Sequence, residues 1–293
     1  MSPSPIRDVS DTARWVAYFR ALESERHDAL FCDRHARRLA GDRGREIAEG
    51  LPTGPLRWSL AVRTRVFDEM ILASIRNADI ETVLNLAAGF DTRPYRLQLP
   101  EDLRWIEVDL PSIIEWKESV LRDERPACSL ERASFDLTDE NARRALWARV
   151  RSEPGRVLVI TEGLLPYFDD ASVASLAEEI HSFLPTSQWL LENVAPSILT
   201  RMQRSWGKAL RPANAEMKFA PAEGLEFFRR YGWVPTTTKS LLDEAERLQR
   251  EMPMVSAARR LFSFIPPLER AYEKRQERFR NAVVYALMER APV

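Results

Sequence analysis

TVLNLAAGFDTRPYRLQLPEDLRWIEVDLP, residues 82 to 111, places two short apolar runs, TVLNLA (82 to 87) and LRWIEVD (103 to 109), on either side of a turn-rich stretch holding one glycine, Gly89. Downstream the same kind of run recurs at LERASFD (130 to 136), RVLVITE (156 to 162) and SQWLLEN (187 to 193). Amphipathic helices fit between them. Pro111 stands where the first turn of a helix tolerates proline, with Ile113, Trp116 and Val120 behind it, and Asp169 or Asp170 can cap ASVASLAEEI. Short strands alternating with helices are the signature of a parallel sheet built from βα units.

Further along, EGLEFFRRYGW predicts a helix ending at Gly232, WVPTTT a strand, and NAVVYALMER a last strand. SLLDEAERLQREM and LERAYEKRQERFR are charge-laced helices whose interleaved signs suit a solvated face. The expected fold is α/β, a Rossmann-like, mostly parallel sheet of seven strands. Upstream, Asp11 to about Ala48 is helical, with Trp15, Phe19 and Leu22 on one face. The loop EGLPTGPLR then leads to a helix from about Trp58 to Ile75 with Val62, Val66 and Met70 buried. This divides the chain into a helical N-terminal cap (1–57) and a sheet domain (58–293). Within the latter, residues 196–221 interrupt the alternation as a lid carrying Trp206, Met217 and Phe219.

Composition narrows the function. The chain has 293 residues, 43 basic against 44 acidic side chains, and 45% apolar residues, an ordinary globular balance. A net charge of −1 removes the long-range attraction that nucleic acid or an anionic membrane requires. The longest apolar runs are too short to span a bilayer and the start MSPSPIRDVSDTAR is unlike a signal peptide, so a cytoplasmic protein is expected. Cys32, Cys128, His27, His35 and His181 form no metal-binding spacing, and no metal site is expected. GxSxG, Walker A and SxxK motifs are absent.

In an open parallel sheet the ligand lies beyond the C-terminal strand ends. Strand one runs into Gly89, where a missing Cβ lets a ligand approach the backbone. Strand two ends at Asp109, 20 residues on, the separation at which an acid reaches ribose hydroxyls. Strand three ends at Asp136, placed to accept from an adenine amino group, and strand four at Glu162, near the reactive end of such a ligand. Each acid taken singly is better explained as a helix cap, and it is their joint placement that points to a ligand. The second and third glycines of GxGxxG are missing, which argues against a pyrophosphate. A nucleoside without phosphates, such as S-adenosylmethionine, fits better.

The stretches AVRTRVFDEM (61 to 70), VLNLAAGFDTRPYRL (83 to 97), WIEVDLPSIIEWK (105 to 117), SFDLTD (134 to 139) and TEGLLPYF (161 to 168) resemble the leucine carboxyl methyltransferase family. The resemblance is specifically to its bacterial branch, which includes polyketide O-methyltransferases similar to the tetracenomycin one. It implies the class I methyltransferase fold, S-adenosylmethionine as cofactor, and a role for Arg63 at the methionine carboxylate above Gly89. It further assigns Asp109 to the ribose, Asp136 and Leu137 to the adenine, Glu162 to the methionine end, and Tyr167 to orienting the acceptor. Ala87 departs from the pattern, since many relatives have glycine there. Asp91 and Arg93 either brace the turn against each other or touch the cofactor, and Lys117 matches a family lysine on a helix that allows a structural role.

The expected chemistry is O-methylation of a small-molecule carboxylate or acidic hydroxyl, possibly a polyketide or other secondary metabolite. A carboxylate is ionised at pH 7 and needs no base, whereas a phenol with a pKa near 10 would benefit from one. Trp15, Tyr18, Trp206 and Phe219 are candidates to line the acceptor pocket, with core packing as the alternative. The rivals are a catalytically silent S-adenosylmethionine-binding regulator and a nucleotide-dependent oxidoreductase. Oligomeric state is not legible.

Overall fold

The computed structural model describes residues 6–52, 54–153, 155–213, 215–251 and 279–292, with the backbone alone for 54–56. Seven strands form one sheet: β1 (Ile80–Leu86), β2 (Arg104–Asp109), β3 (Ser129–Ser134), β4 (Arg156–Thr161), β5 (Ser187–Val194), β6 (Trp233–Ser240) and β7 (Val283–Arg290). Their order is β3-β2-β1-β4-β5-β7-β6. β1 to β5 pair in parallel, and β7 runs antiparallel between β5 and β6. The strand order reverses between β1 and β4, and a crevice opens at that point.

The central strands are apolar on both faces because helices cover both. Leu84, Leu86, Ile106, Val108, Val159 and Leu191 point to one side, where they pack with residues of α6 (Glu140–Arg151), α7 (Asp170–Phe183) and the 3-10 helix Gly224–Tyr231. Val83, Trp105, Leu158, Ile160 and Leu190 point to the other, against α3 (Gly54–Asn77) and α9 (Leu241–Arg247). The caps are those the local residues supply: Asp139 accepts from the amides of Asn141 and Ala142, and Asp169, not Asp170, caps α7 through Ser172 N–H.

Several boundaries differ from the sequence expectation. β1 stops at Leu86 because Ala87 turns to φ 54°, and β3 stops at Ser134, leaving Asp136 in the following loop. EGLEFFRRYGW is a 3-10 helix, closed at Gly232 with φ 80°. SLLDEAERLQREM is helical only through Arg247, with Gln249 at φ 53°. Of LERAYEKRQERFR, residues 268–278 lie outside the described residues.

At the N-terminus α1 (Val9–Ser24) packs along α2 (Ala36–Gly50), which kinks at Gly41. Within residues 196–221, α8 (Pro196–Leu210) is followed by a 3-10 turn (Arg211–Ala213), and residues 215–221 have no regular secondary structure. Trp15 and Phe19 of α1 share one apolar cluster with Leu199, Trp206, Leu210 and Met217.

Candidate active site

A cavity of about 480 Å³ opens at the C-terminal ends of β1, β2 and β4. Its floor is the turn from Asn85 to Asp91, its sides are the loops after β2, β3 and β4, and its roof is one face of α1, Val9, Thr12, Ala13, Val16 and Arg20. Arg63, Gly89, Asp109, Asp136, Leu137, Glu162 and Tyr167, all expected at the site from sequence, line this one space.

The turn after β1 is built to hold its shape. Gly89 has φ 52°, and a Cβ built there would meet the Cβ of Ala13 at 3.6 Å, so α1 lies directly over it. The Gly89 amide donates to Asp109 Oδ2 at 2.6 Å and the Leu110 amide to Oδ1 at 2.7 Å. Each oxygen keeps a lone pair for a further donor, which suits a vicinal diol. Burial raises the Asp109 carboxyl above the usual range, against the pull of these two amides. Asp136 is exposed and accepts from the Thr138 amide at 2.8 Å, while Leu137 is buried beside it as an apolar wall.

Arg63 reaches the cavity from α3 between two glutamates. Its Nε lies 2.9 Å from Glu162 and its Nη1 3.1 Å from Glu192 at the end of β5. Among the described residues Nη2 makes no hydrogen bond, which leaves it for a ligand carboxylate. The guanidinium lies so close to Gly163, φ 69°, that a Cβ there would come within 3.2 Å of Nη1. Glu162 also meets Arg93 at 2.7 Å, and Arg93 holds Asp68 at 2.7 Å and Asp91 at 2.9 Å. Asp91 and Arg93 therefore brace the turn. Burial would raise the Asp91 carboxyl, but Arg93, with Lys117 and Arg96, outweighs it and holds it below its ordinary value. Lys117 is fully buried and pairs with Glu107 at 2.8 Å, a structural arrangement behind β2. Tyr167 stands on the 3-10 turn Leu165–Tyr167, and burial pushes its phenol up to about 12.

Of the two readings open for Trp15, Tyr18, Trp206 and Phe219, packing and not pocket lining holds, and the cavity's aromatics are Phe90, Phe135, Tyr167 and Phe168. Trp15 packs edge-on against Trp206 with ring centroids 5.5 Å apart. Phe219 packs edge-on against Phe227 with ring centroids 5.0 Å apart, and Arg37 covers Tyr18. None of the four lines the cavity. On a helix of period 3.6, Trp15, Phe19 and Leu22 fall on the core side while Val9, Thr12, Ala13, Val16 and Arg20 line the cavity, Val9 and Val16 at the border between the two. Sequence reading also missed Asp68, Arg96, Lys218 and Glu192. Of these Glu192 carried a usable signal, since SQWLLEN has an acid next to its C-terminal end, as strands two, three and four end in acids.

Residues with this geometry fit S-adenosylmethionine: an acid fixed at the end of β2 for the ribose, an apolar wall after β3, and a guanidinium with one free edge at the end of β4. The strand order and the cavity define a class I S-adenosylmethionine-dependent methyltransferase. The fold is shared with a DUF574 family protein from Streptomyces avermitilis (TM-score 0.58, 14% identity, 96% of this chain and 97% of that one). It is shared equally with a crystal structure titled as a putative methyltransferase from Thermobifida fusca (TM-score 0.55, 17% identity, 98% and 96%). The profile of the leucine carboxyl methyltransferase family matches residues 13–181, and the chain belongs to that family. A Rhodococcus jostii protein named "Putative S-adenosyl-L-methionine-dependent methyltransferase" is 35% identical over 210 residues, 68% of this chain and 70% of its own. A Mycobacteroides abscessus protein of the same name is 28% identical over 277 residues, 85% and 90%. The enzyme is an S-adenosylmethionine-dependent methyltransferase. No helix among the described residues is long and apolar enough to cross a membrane.

Proposed function

We propose that the enzyme methylates oxygen, on a small molecule whose acceptor is a carboxylate or an already acidic hydroxyl. One observation carries this reading: among the described residues the cavity offers no free general base at the methionine end. No described histidine or cysteine lines it, Asp91, Asp109 and Glu162 are each held by an arginine or by two backbone amides, and the exposed Asp136, which accepts from the Thr138 amide, lies at the adenine end. Tyr167, with its phenol near 12, is protonated at neutral pH and can donate a hydrogen bond but not take a proton. An acceptor that arrives ionised needs none. Lys218, exposed at the rim, adds a cation there, with Asp169 as the carboxylate that feels its charge, and a cation at the rim favours an anionic acceptor.

When bound, the cofactor supplies an electrophilic methyl group. Asp109 and the Gly89 turn would hold its ribose, Leu137 and Asp136 its adenine, and Arg63 its carboxylate. The protein's own contribution is alignment and exclusion of water. The roof of α1 covers the reacting space, and Tyr167 orients the acceptor oxygen. Lys218 is fixed beside it, because its amide and that of Phe219 both donate to the Pro166 carbonyl, at 2.6 and 3.2 Å. A polyketide or other secondary metabolite bearing an acid fits this space, and the near-zero net charge disfavours nucleic acid as substrate. The helices of residues 1–57 act as a cap and residues 196–221 as a lid. A cytoplasmic location goes with this reading.

Incubation with candidate acids, followed by mass spectrometry and NMR of the product, tests the assignment. A new methyl group on nitrogen or carbon would overturn it. The pH–rate profile should show no rise that belongs to an enzyme base between about pH 6 and 9.

A further inference from the structure

Among the described residues, seven buried or half-buried side chains form one ion-pair network beside the cavity. Arg63 joins Glu162 and Glu192; Arg93 joins Glu162, Asp68 and Asp91; Arg96 joins Asp68 at 2.6 Å. Four carboxylates thus meet three guanidiniums, and the network is one negative charge in excess. Glu192 is its only member whose carboxylate pairs solely with Arg63, and it does not line the cavity. It is held in place by Arg63 Nη1 at 3.1 Å, and burial raises its carboxyl against the opposing pull of that guanidinium. Removing its charge makes the network neutral without removing a group that touches the cavity. The neighbouring ions largely cancel: Arg20 pairs with Asp33 at 2.9 Å, and Lys117 and Arg132 share Glu107 on the far side of Asp91, offsetting Asp109.

The two forms of the cofactor differ by one charge. S-adenosylmethionine carries a sulfonium, an ammonium and a carboxylate, and is a net cation. S-adenosylhomocysteine, left when the methyl has gone, has a neutral thioether and no net charge. An excess negative charge in a low-dielectric site acts on the first and hardly on the second.

We propose that Glu192 is a positioning and selectivity residue, which keeps the Arg63 site anionic overall and so makes the enzyme prefer the sulfonium cofactor to its spent thioether. The proposal rests on placing the methionine end against Arg63 and Glu162. It gives the second glutamate a purpose that Arg63 alone does not require, since one carboxylate would already fix the guanidinium.

Titration calorimetry at pH 7.5 with S-adenosylmethionine and S-adenosylhomocysteine tests it on wild type, Glu192→Gln, Glu192→Asp and Arg63→Gln, each first checked by near-UV circular dichroism. Glu192→Gln should weaken S-adenosylmethionine about tenfold, some 1.4 kcal/mol, and S-adenosylhomocysteine less than about twofold. Glu192→Asp, which keeps the charge, should restore the wild-type ratio. Equal weakening of both ligands by Glu192→Gln, or no change in either, overturns the selectivity role. Arg63→Gln separates the underlying placement: weakening of both ligands supports it, and loss of neither means that the methionine end lies elsewhere and the proposal falls with it. If Glu192→Gln fails to fold, the ratio in Glu192→Asp and the salt dependence of both affinities decide. S-adenosylmethionine binding to wild type should weaken with salt more steeply than product binding, and equal slopes overturn the proposal.

Discussion

Asp109 does two things at once, and its replacement should show both. Its carboxylate satisfies the amides of Gly89 and Leu110 and leaves lone pairs for the ribose. Asp109→Ala should therefore weaken S-adenosylmethionine binding by about 1.5 to 3 kcal/mol, the range for hydrogen bonds to a charged group, and also lower the melting temperature by orphaning a turn amide. Unchanged affinity by calorimetry would contradict the ribose assignment. Two residues before Gly89, Ala87 adopts φ 54°, a region that costs an L-residue roughly 1 kcal/mol or more. Glycine loses part of that gain to the entropy of the unfolded chain, so Ala87→Gly should stabilise the fold by about 0.5 kcal/mol in urea melts. A destabilised variant would mean that the Ala87 methyl packs usefully against the neighbouring cluster. Gly163→Ala combines a left-handed φ with a 3.2 Å approach to Arg63, and should cost cofactor affinity more than any substitution on the far side of the same turn.

At the scale of the element, α1 divides its labour between faces. Trp15→Ala should destabilise the protein by about 3 to 5 kcal/mol, because the ring fills a core shared with Trp206 and Phe19. Thr12→Phe, on the cavity face, should lower the melting temperature far less while raising KM for the acceptor, since its side chain enters the cavity. Steady-state kinetics beside thermal melts separates the two, and the reverse pattern would refute the division. α1 is also tied to the cofactor turn, because Arg20 pairs with Asp33 and donates to the Phe90 carbonyl. Truncation of the first 20 residues should accordingly reduce both stability and turnover.

For the molecule as a whole, acid should be more damaging than its near-neutral charge suggests. His35 is buried, its Nε2 accepts from Arg34 Nε at 3.1 Å, and burial lowers its pKa against the opposing pull of Glu124. His181 is lowered in the same direction by burial and by Arg290. A folded value below the unfolded one means that the neutral form is favoured on folding. The stability so contributed is present above the ordinary histidine range and is lost as pH falls through it. Urea midpoints should drop between about pH 7 and 5, and less so in His35→Gln. A midpoint equally pH-sensitive in that variant would assign the loss to other groups.

The alternation of apolar runs and helices, the acids that follow them and the glycine after strand one are local features, and local features survive in a sequence without its fold. They determined the sheet, its cofactor and the residues on the first four strand ends. What only the tertiary structure decided depends on which faces meet. The aromatics of residues 15, 18, 206 and 219 are consistent with lining a pocket or filling a core; the meeting of α1 with α8 put Trp15 and Trp206 in one core, and Phe219 fell into another beside Phe227. The partners of Arg63 come from strand ends 99 and 129 residues away, so no spacing encodes that one guanidinium stands between two carboxylates. The charge of the site belongs to that meeting, because an arginine's effect on a ligand is set by the acids that the fold brings around it.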